Sequence, residues 1–306
     1  DVALTNKVDD ASAQLGEYFA RARSIVLITA NNPAFRDFAA APGDRVAKIR
    51  ARVPAIRRAE DGLAYLEKLY PGSIGEACFI DRSGPENARY VKGTRAPLAD
   101  LSPDESASPF FKPTFALPAG RVFQAKPYVS PDTREWVISN STPVPGTGYP
   151  AAAIVHFEVT LESFSRMAAA IGRDDEIAVV DAQTGRVIVG SRVPQRVGAP
   201  LGLPKDSRFD ELVASGEAAG TGSVEQRRSA FRRLPRTLTN ENDWVVVAVA
   251  ERSAGSFLSE AGWAPLGMAG SAFALLLLAV ISFRHSRRAL EEEKRRLDTE
   301  RALANA

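Results

Sequence analysis

Between residues 108 and 158 the chain gathers side chains that could bind a small molecule: Phe110, Phe111, Phe123, Lys126, Tyr128, Ser130, Arg134, Trp136, Asn140, Ser141 and Glu158. Small-ligand pockets are mostly apolar, with a few polar groups fixing orientation. The aromatics here can form walls. Lys126 and Arg134 suit an anionic group, the guanidinium in bidentate fashion, and Glu158 suits an ammonium. Strand alternation places Lys126 and Tyr128 on one face, and Trp136, Ile138 and Asn140 on one face. Alternation leaves open which face meets a ligand. Plainer readings stand beside these: Trp136 and Phe123 as core, Arg134 as a solvated residue beside a turn, and His156 as a structural residue in an apolar strand.

Catalysis has little support. The chain has two histidines, His156 and His285, and no GxSxG, HExxH or P-loop motif. No cofactor and no bound metal is expected. The single cysteine, Cys78, sits in Ala77-Cys78-Phe79-Ile80 and cannot form an intrachain disulfide. It reads as a small buried hydrophobe. The formal net charge of +2 calls for no nucleic-acid partner.

The elements that must position these residues follow from periodicity. Leu4, Val8, Ala11, Leu15, Phe19 and Ala22 recur every three or four residues, which predicts one long amphipathic helix. Asn31-Asn32-Pro33 is its stop signal. A second helical stretch covers 44–69, with Pro54 kinking or dividing it. Strands are predicted over 76–81 and 88–92, then a long antiparallel pair over 120–129 and 135–144, then a strand over 151–159. A helix follows over 161–171. The pattern then repeats: a hairpin over 177–181 and 186–189, a short helix near Phe209, and a second long pair over 222–234 and 243–250. Phe79-Ile80-Asp81 aligns with Val179-Val180-Asp181, and Trp136-Val137-Ile138 with Trp244-Val245-Val246. Asp181 reads as a turn residue of its hairpin. The expectation is an α+β chain with two similar antiparallel-sheet modules in tandem.

Residues 261–283 contain no Asp, Glu, Lys, Arg or His. At about 1.5 Å per residue this run reaches roughly 34 Å, enough to cross a hydrocarbon core of about 30 Å. Arg284, His285, Arg287 and Arg288 follow at once and mark that side as cytoplasmic. Residues 1–260 are then expected outside the inner membrane and 284–306 in the cytoplasm. Phe283, Leu290, Leu297 and Ala304 recur every seven residues, the spacing of a parallel coiled coil in a homodimer. The chain starts inside an apparent helix without a methionine and stops inside a charged one. It therefore reads as part of a longer protein, with a membrane helix before residue 1.

The order of long helix, two sheet modules, membrane helix and charged helix resembles the double Cache sensor family of bacterial transmembrane receptors, whose modules are PAS-like. The resemblance covers roughly residues 1–253. Its carriers are the stretch from Tyr128 through Trp136 to Pro143-Val144, then Ile177-Ala178-Val179-Val180-Asp181 with Gly185-Arg186-Val187-Ile188, then Trp244-Val245-Val246-Val247. It implies a stalk helix over 1–31, a membrane-distal module over 32–171 that binds a small ligand under a capping loop, and a membrane-proximal relay module over 172–255. A transmembrane helix over 261–283 and a signalling helix over 284–306 would follow. One subgroup of the family reads amino acids through an Arg-x-Trp-Tyr stretch, a downstream Tyr and an Asp. Here these positions hold Ser108-Pro109-Phe110-Phe111, Tyr128 and Glu158. The carboxylate-binding Arg is replaced, which argues against an α-amino-acid ligand, while a subgroup that binds dicarboxylates and other small acids stays open; the expected partner is a small organic acid, amino acid or amine. The resemblance implies the input half of a sensor histidine kinase or diguanylate cyclase, not an enzyme in these residues. The competing reading is a membrane-anchored periplasmic enzyme or envelope scaffold.

Overall fold

The computed structural model describes residues 2–69, 73–191 and 205–251. Helix α1 (Val2–Ala30) buries Leu4, Val8, Ala11, Leu15, Phe19, Ala22 and Val26, the stripe that the helical spacing predicts. Asn32 then caps a helix that periodicity alone did not reveal, α2 (Pro33–Ala40), by accepting from the Ala34 N–H at 3.0 Å. The stretch 44–69 is divided. Asp44 caps α3 (Arg45–Arg50), accepting from the Val46 and Ala47 N–H groups, and α4 (Pro54–Leu69) starts afresh at the proline. Proline bars the preceding residue from helical backbone and offers no N–H, so it divides the stretch rather than bending it.

The first sheet is built from β1 (Ile74–Asp81), β2 (Glu86–Val91), β3 (Thr94–Arg95), β4 (Phe123–Gln124), β5 (Tyr128–Val129), β6 (Trp136–Pro143) and β7 (Ala153–Thr160). Its order is β3-β2-β1-β7-β6-β4, with β5 also on β6, and every pairing is antiparallel. The predicted long strand over 120–129 is broken at Ala125-Lys126-Pro127. Pro127 cannot donate to a ladder. Lys126 and Tyr128 consequently do not alternate along one strand. Helix α5 (Phe111–Phe115) lies in the connection between β3 and β4.

Helix α6 (Leu161–Gly172) leads to the second sheet, formed by β8 (Glu176–Asp181), β9 (Val187–Gly190), β10 (Ala219–Val224), β11 (Arg227–Arg233) and β12 (Trp244–Val249), with α7 (Asp210–Ala214) before β10. Its order is β10-β11-β12-β8-β9. The single strand predicted over 222–234 is two strands of a hairpin. Val224 pairs with Arg227, and the two turn residues Glu225 and Gln226 have φ of 50° and 63°. Positive φ at both central residues is the twist-compatible two-residue turn, here made without the usual Asn or Gly signal. The topology also corrects the alignment of Trp136 with Trp244. β12 pairs with β8 as β7 pairs with β1, so the positional counterpart of β12 is β7 and not β6.

One hydrophobic core runs along α1 and takes Phe79, Phe157 and Ile138 from the first sheet and Val179, Val246 and Trp244 from the second. Phe19 meets Trp244 edge to face at 5.4 Å. The sheets are joined where Gln124 exchanges backbone hydrogen bonds with Thr239 and Glu241, at 2.9 and 3.0 Å. The apolar run 261–283, the basic cluster after it and the heptad pattern lie outside the described residues. Among the described residues no helix is long and apolar enough to cross a membrane.

Candidate ligand-binding site

Packing of α1 against one face of the first sheet leaves the other face to a different set of side chains. Alternation along β1 turns Glu76, Cys78 and Ile80 away from α1, and along β7 it does the same for Ile154, His156 and Glu158. The register sets Glu76 opposite Glu158 and Cys78 opposite His156, while Ser139 and Ser141 of β6 stand opposite Glu158 and His156. This outer face is covered by aromatics. Phe110 stacks on the His156 ring with centroids 3.7 Å apart and planes 20° apart. Phe111, Phe115 and Phe123 pack with Cys78, Ile80 and Ile154. Thr114 and Ser141 share a hydroxyl hydrogen bond of 2.6 Å that ties α5 to β6.

Beneath this cover lies a group of buried polar side chains whose hydrogen bonds are incompletely met. Tyr128 donates its hydroxyl to Glu158 Oε1 at 2.5 Å. Burial first, then the Glu158 charge, push the Tyr128 phenol well above its ordinary range, so it stays a neutral donor. Cys78 donates its thiol to Glu76 Oε1 at 2.6 Å, and burial followed by the Glu76 charge raises that thiol well above its usual value. Burial, then Glu158, then Asp132 push the Glu76 carboxyl well above the usual carboxylate range. Burial raises Glu86 to about 7, against the opposing pull of Arg89 and the Ser102 N–H. Arg89 is the buried cation of this face, and it is already paired with Glu86 at 3.2 Å and Asp132 at 2.7 Å. His156 Nε2 lies 3.5 Å from Glu158 Oε1 without a hydrogen bond, and neither ring nitrogen has a partner. Glu76 Oε2 and Glu158 Oε2 also lack one. Buried polar groups are nearly always satisfied, so this concentration of exceptions makes the face the candidate site.

Of the residues predicted from sequence, the structure brings Phe110, Phe111, Phe123, Tyr128, Ser141 and Glu158 to this face. Five others go elsewhere. Trp136 and Asn140 do share a face with Ile138, but it is the face toward α1: Asn140 donates to the Tyr18 hydroxyl at 3.0 Å, and Trp136 packs against the main core. Lys126 is exposed and donates to Gln183 Oε1 at 2.6 Å. Arg134 is exposed with φ of 58° in the turn between β5 and β6. Ser130 is buried, but its hydroxyl accepts from the Thr133 N–H in that same turn. The sequence reading missed Glu76, Cys78, Glu86, Arg89 and His156. A usable signal was present. Glu76-x-Cys78 and His156-x-Glu158 each place two chemically active groups on one strand face within otherwise apolar runs. A separate surface groove of about 540 Å3 lies on the helical side, between Ile28, Asn32, Arg58, Asp61 and Tyr65.

No family model and no curated protein matches the chain. Solved structures do match it. A domain of a protein assigned to the sensory box/GGDEF family from Vibrio parahaemolyticus superposes with a TM-score of 0.58 at 15% identity, over 82% of this chain and 98% of that one. The chain shares the fold of bacterial sensory domains. The ligand-binding domain of the Pseudomonas fluorescens chemoreceptor CtaA, solved with L-isoleucine, gives a TM-score of 0.54 at 14% identity, over 83% of this chain and 94% of that one. The sensory domain of the Campylobacter jejuni chemoreceptor Tlp3 gives 0.55 at 8% identity, over 80% and 90%. The α+β architecture of long helix and two antiparallel sheets is therefore a sensory-domain fold, and the likeness is one of fold.

Proposed function

We propose that the chain is an extracytoplasmic sensory domain that binds a small, positively charged ligand at the outer face of the first sheet. The carrying observation is that face itself: buried titratable side chains with unmet hydrogen bonds, under an aromatic cover, in a chain with a sensory-domain fold. Charge balance chooses the ligand class. Glu76, Glu86 and Glu158 are buried there against a single buried Arg89, which Glu86 and Asp132 already hold. A free carboxylate ligand finds no unpaired cation, because Ser108 stands where the amino-acid subgroup has Arg and its hydroxyl donates to Glu105 at 2.6 Å. An amine or another cation meets carboxylates that need one.

In this reading residues 32–171 form the membrane-distal, ligand-binding module and 172–255 the membrane-proximal relay. Residues 261–283 cross the inner membrane as part of a parallel homodimer, and 284–306 lead to a histidine kinase or diguanylate cyclase output. Helix α1 lies along both sheets through one core, so a shift at the first sheet is felt at the second. Signalling requires the ligand to bind two receptor states with different affinity.

A thermal-shift screen of amines, amino acids, small acids and metal ions tests this. A ligand at about 100 times its Kd stabilises by roughly 2.7 kcal/mol. We expect a cationic hit whose effect is abolished by Glu158→Gln and weakened by Tyr128→Phe. A panel in which nothing stabilises the protein, or only anions do, refutes the proposal.

A further inference from the structure

We infer that Glu76, His156 and Glu158 form a binding site for a divalent metal ion of the zinc type. The inference rests on reading the outer face of the first sheet as the ligand face, and it names an ion as the cation taken there. One donor atom from each of the three side chains lies within 4.8 Å of the others, and all three residues are buried. Tetrahedral zinc with bonds of about 2.0–2.2 Å holds its ligand atoms about 3.4 Å apart. The three side chains therefore need to draw in by at most about 1.4 Å. They project from two adjacent strands in fixed register, so the backbone needs no rearrangement.

The environment of His156 adds to this. Its side chain is 1% exposed, both ring nitrogens lack a hydrogen-bond partner, and the Phe110 ring stacked on it restrains its plane. A proton shared between Glu76 and Glu158 would relieve the carboxylates but would leave His156 Nδ1 without a partner and Nε2 with only its 3.5 Å approach to Glu158. A metal ion answers the carboxylates and one imidazole nitrogen together, and two carboxylates with one divalent ion are neutral as a unit. The donor set selects the ion: one imidazole nitrogen and two carboxylates suit zinc, whereas calcium and magnesium take oxygen ligands. Tyr128, donating to Glu158 Oε1, and Cys78, donating to Glu76 Oε1, are placed to orient the ligating carboxylates. Three protein ligands leave a fourth position for water or a group of a second molecule.

Equilibrium dialysis of the purified chain against zinc chloride, with the absorption spectrum of the cobalt-loaded protein, tests the site. The expected result is one zinc bound per chain, lost or weakened by at least about tenfold in His156→Ala and Glu158→Gln. Intense tetrahedral cobalt bands are expected in the unaltered protein, a readout that survives if the variants fail to fold. Zinc binding unchanged in a folded His156→Ala variant overturns the site. So does a wild-type protein that takes up no zinc and shows no such cobalt bands. If an organic amine stabilises that metal-free protein, the metal site falls and the sensory reading stands; if neither amine nor metal does, both fall.

Discussion

The outer faces of the two sheets occupy the same position in the same architecture and are built from opposite materials. In the first, β1 and β7 present Glu76 and Cys78 opposite Glu158 and His156. In the second, β8 and β12 present Glu176 and Ala178 opposite Val249 and Val247. The second face is closed by Val180, Val187, Val245, Phe209 and Phe231, a packed hydrophobic cluster at whose edge Ser229 Oγ and Arg227 Nε are buried without a hydrogen bond. Glu176 at its margin is held by Arg208 at 3.1 Å and Arg227 at 3.3 Å, whereas Glu76 has a thiol for a partner and one oxygen with none. Glu76 and Glu86 of the first sheet and Asp206 and Asp243 beside the second are perturbed in opposite directions. Burial pushes Glu76 and Glu86 up. The bidentate Arg233 pair holds Asp243 below the usual carboxylate range, and at Asp206 burial pushes up but the hydrogen bonds from Arg208 together outweigh it and hold the carboxyl low. Two sheets of similar order thus differ in that one outer face is packed with apolar side chains and the other buries titratable ones, the contrast on which the proposed site rests.

The contrast can be broken most severely by moving chemistry from the first face to the second. Val247→Glu places a carboxylate opposite Ala178 with no partner among the valines. Urea denaturation should show a loss of more than about 4 kcal/mol, the range reserved for unpaired buried charge. A small loss would mean that the second face also tolerates a ligand-like arrangement.

The next effect sharpens the contrast through pH. Glu86 is raised in the folded state from its ordinary 4.5 to about 7 by burial, with Arg89, Cys78, Glu105 and the Ser102 N–H facing it. A raised carboxyl contributes stability that is fully present below its unfolded value and is lost as pH rises through about 7. The loss between these limits should approach about 3 kcal/mol. Glu86→Gln keeps an acceptor for Ser102 and should flatten that limb of the stability profile. A profile unchanged by the substitution would remove Glu86 as its source.

The smallest effect lies in the second module and has the opposite sign. Asp243 is depressed by Arg233, so its contribution is present above the ordinary 3.8 and is lost as pH falls through the folded value. Arg233→Ala should cost about 1–2 kcal/mol near neutrality, below the figure for a fully buried pair because Arg233 is partly exposed and Arg236 remains within 3.6 Å. The loss should shrink in acid. A cost that persists at low pH would assign it to lost packing and not to the pair.

Much of the framework was legible in the residues. The stripe from Leu4 to Val26, the stop at Asn31-Asn32-Pro33, and strands β1, β7, β8 and β12 follow from spacing and apolar runs, because each depends on its own neighbours. Errors came where one local signal was weak or overridden. Pro127 broke a strand that composition favoured, and Glu225-Gln226 turned a hairpin without glycine or asparagine. The candidate site was half legible. Tyr128, Glu158 and Phe110, Phe111 and Phe123 were singled out and lie at the candidate face, whereas Trp136 and Asn140 face α1, His156 and Cys78 were read as structural, and Glu76 was given no role.

The sequence by itself determined the long first helix, the central strands of both antiparallel sheets and, within each unbroken strand, which residues share a face, since alternation is a property of the chain. It also marked the uncharged run 261–283. Tertiary structure alone decided which of the two faces of the first sheet is the candidate ligand face. Strands β1 and β7 are buried on both sides, so burial pattern cannot distinguish them. The choice is made by α1, which covers one face from more than forty positions away in the chain, and by the Phe110 segment, which covers the other. Only that packing brings Glu76, His156 and Glu158 to one buried point.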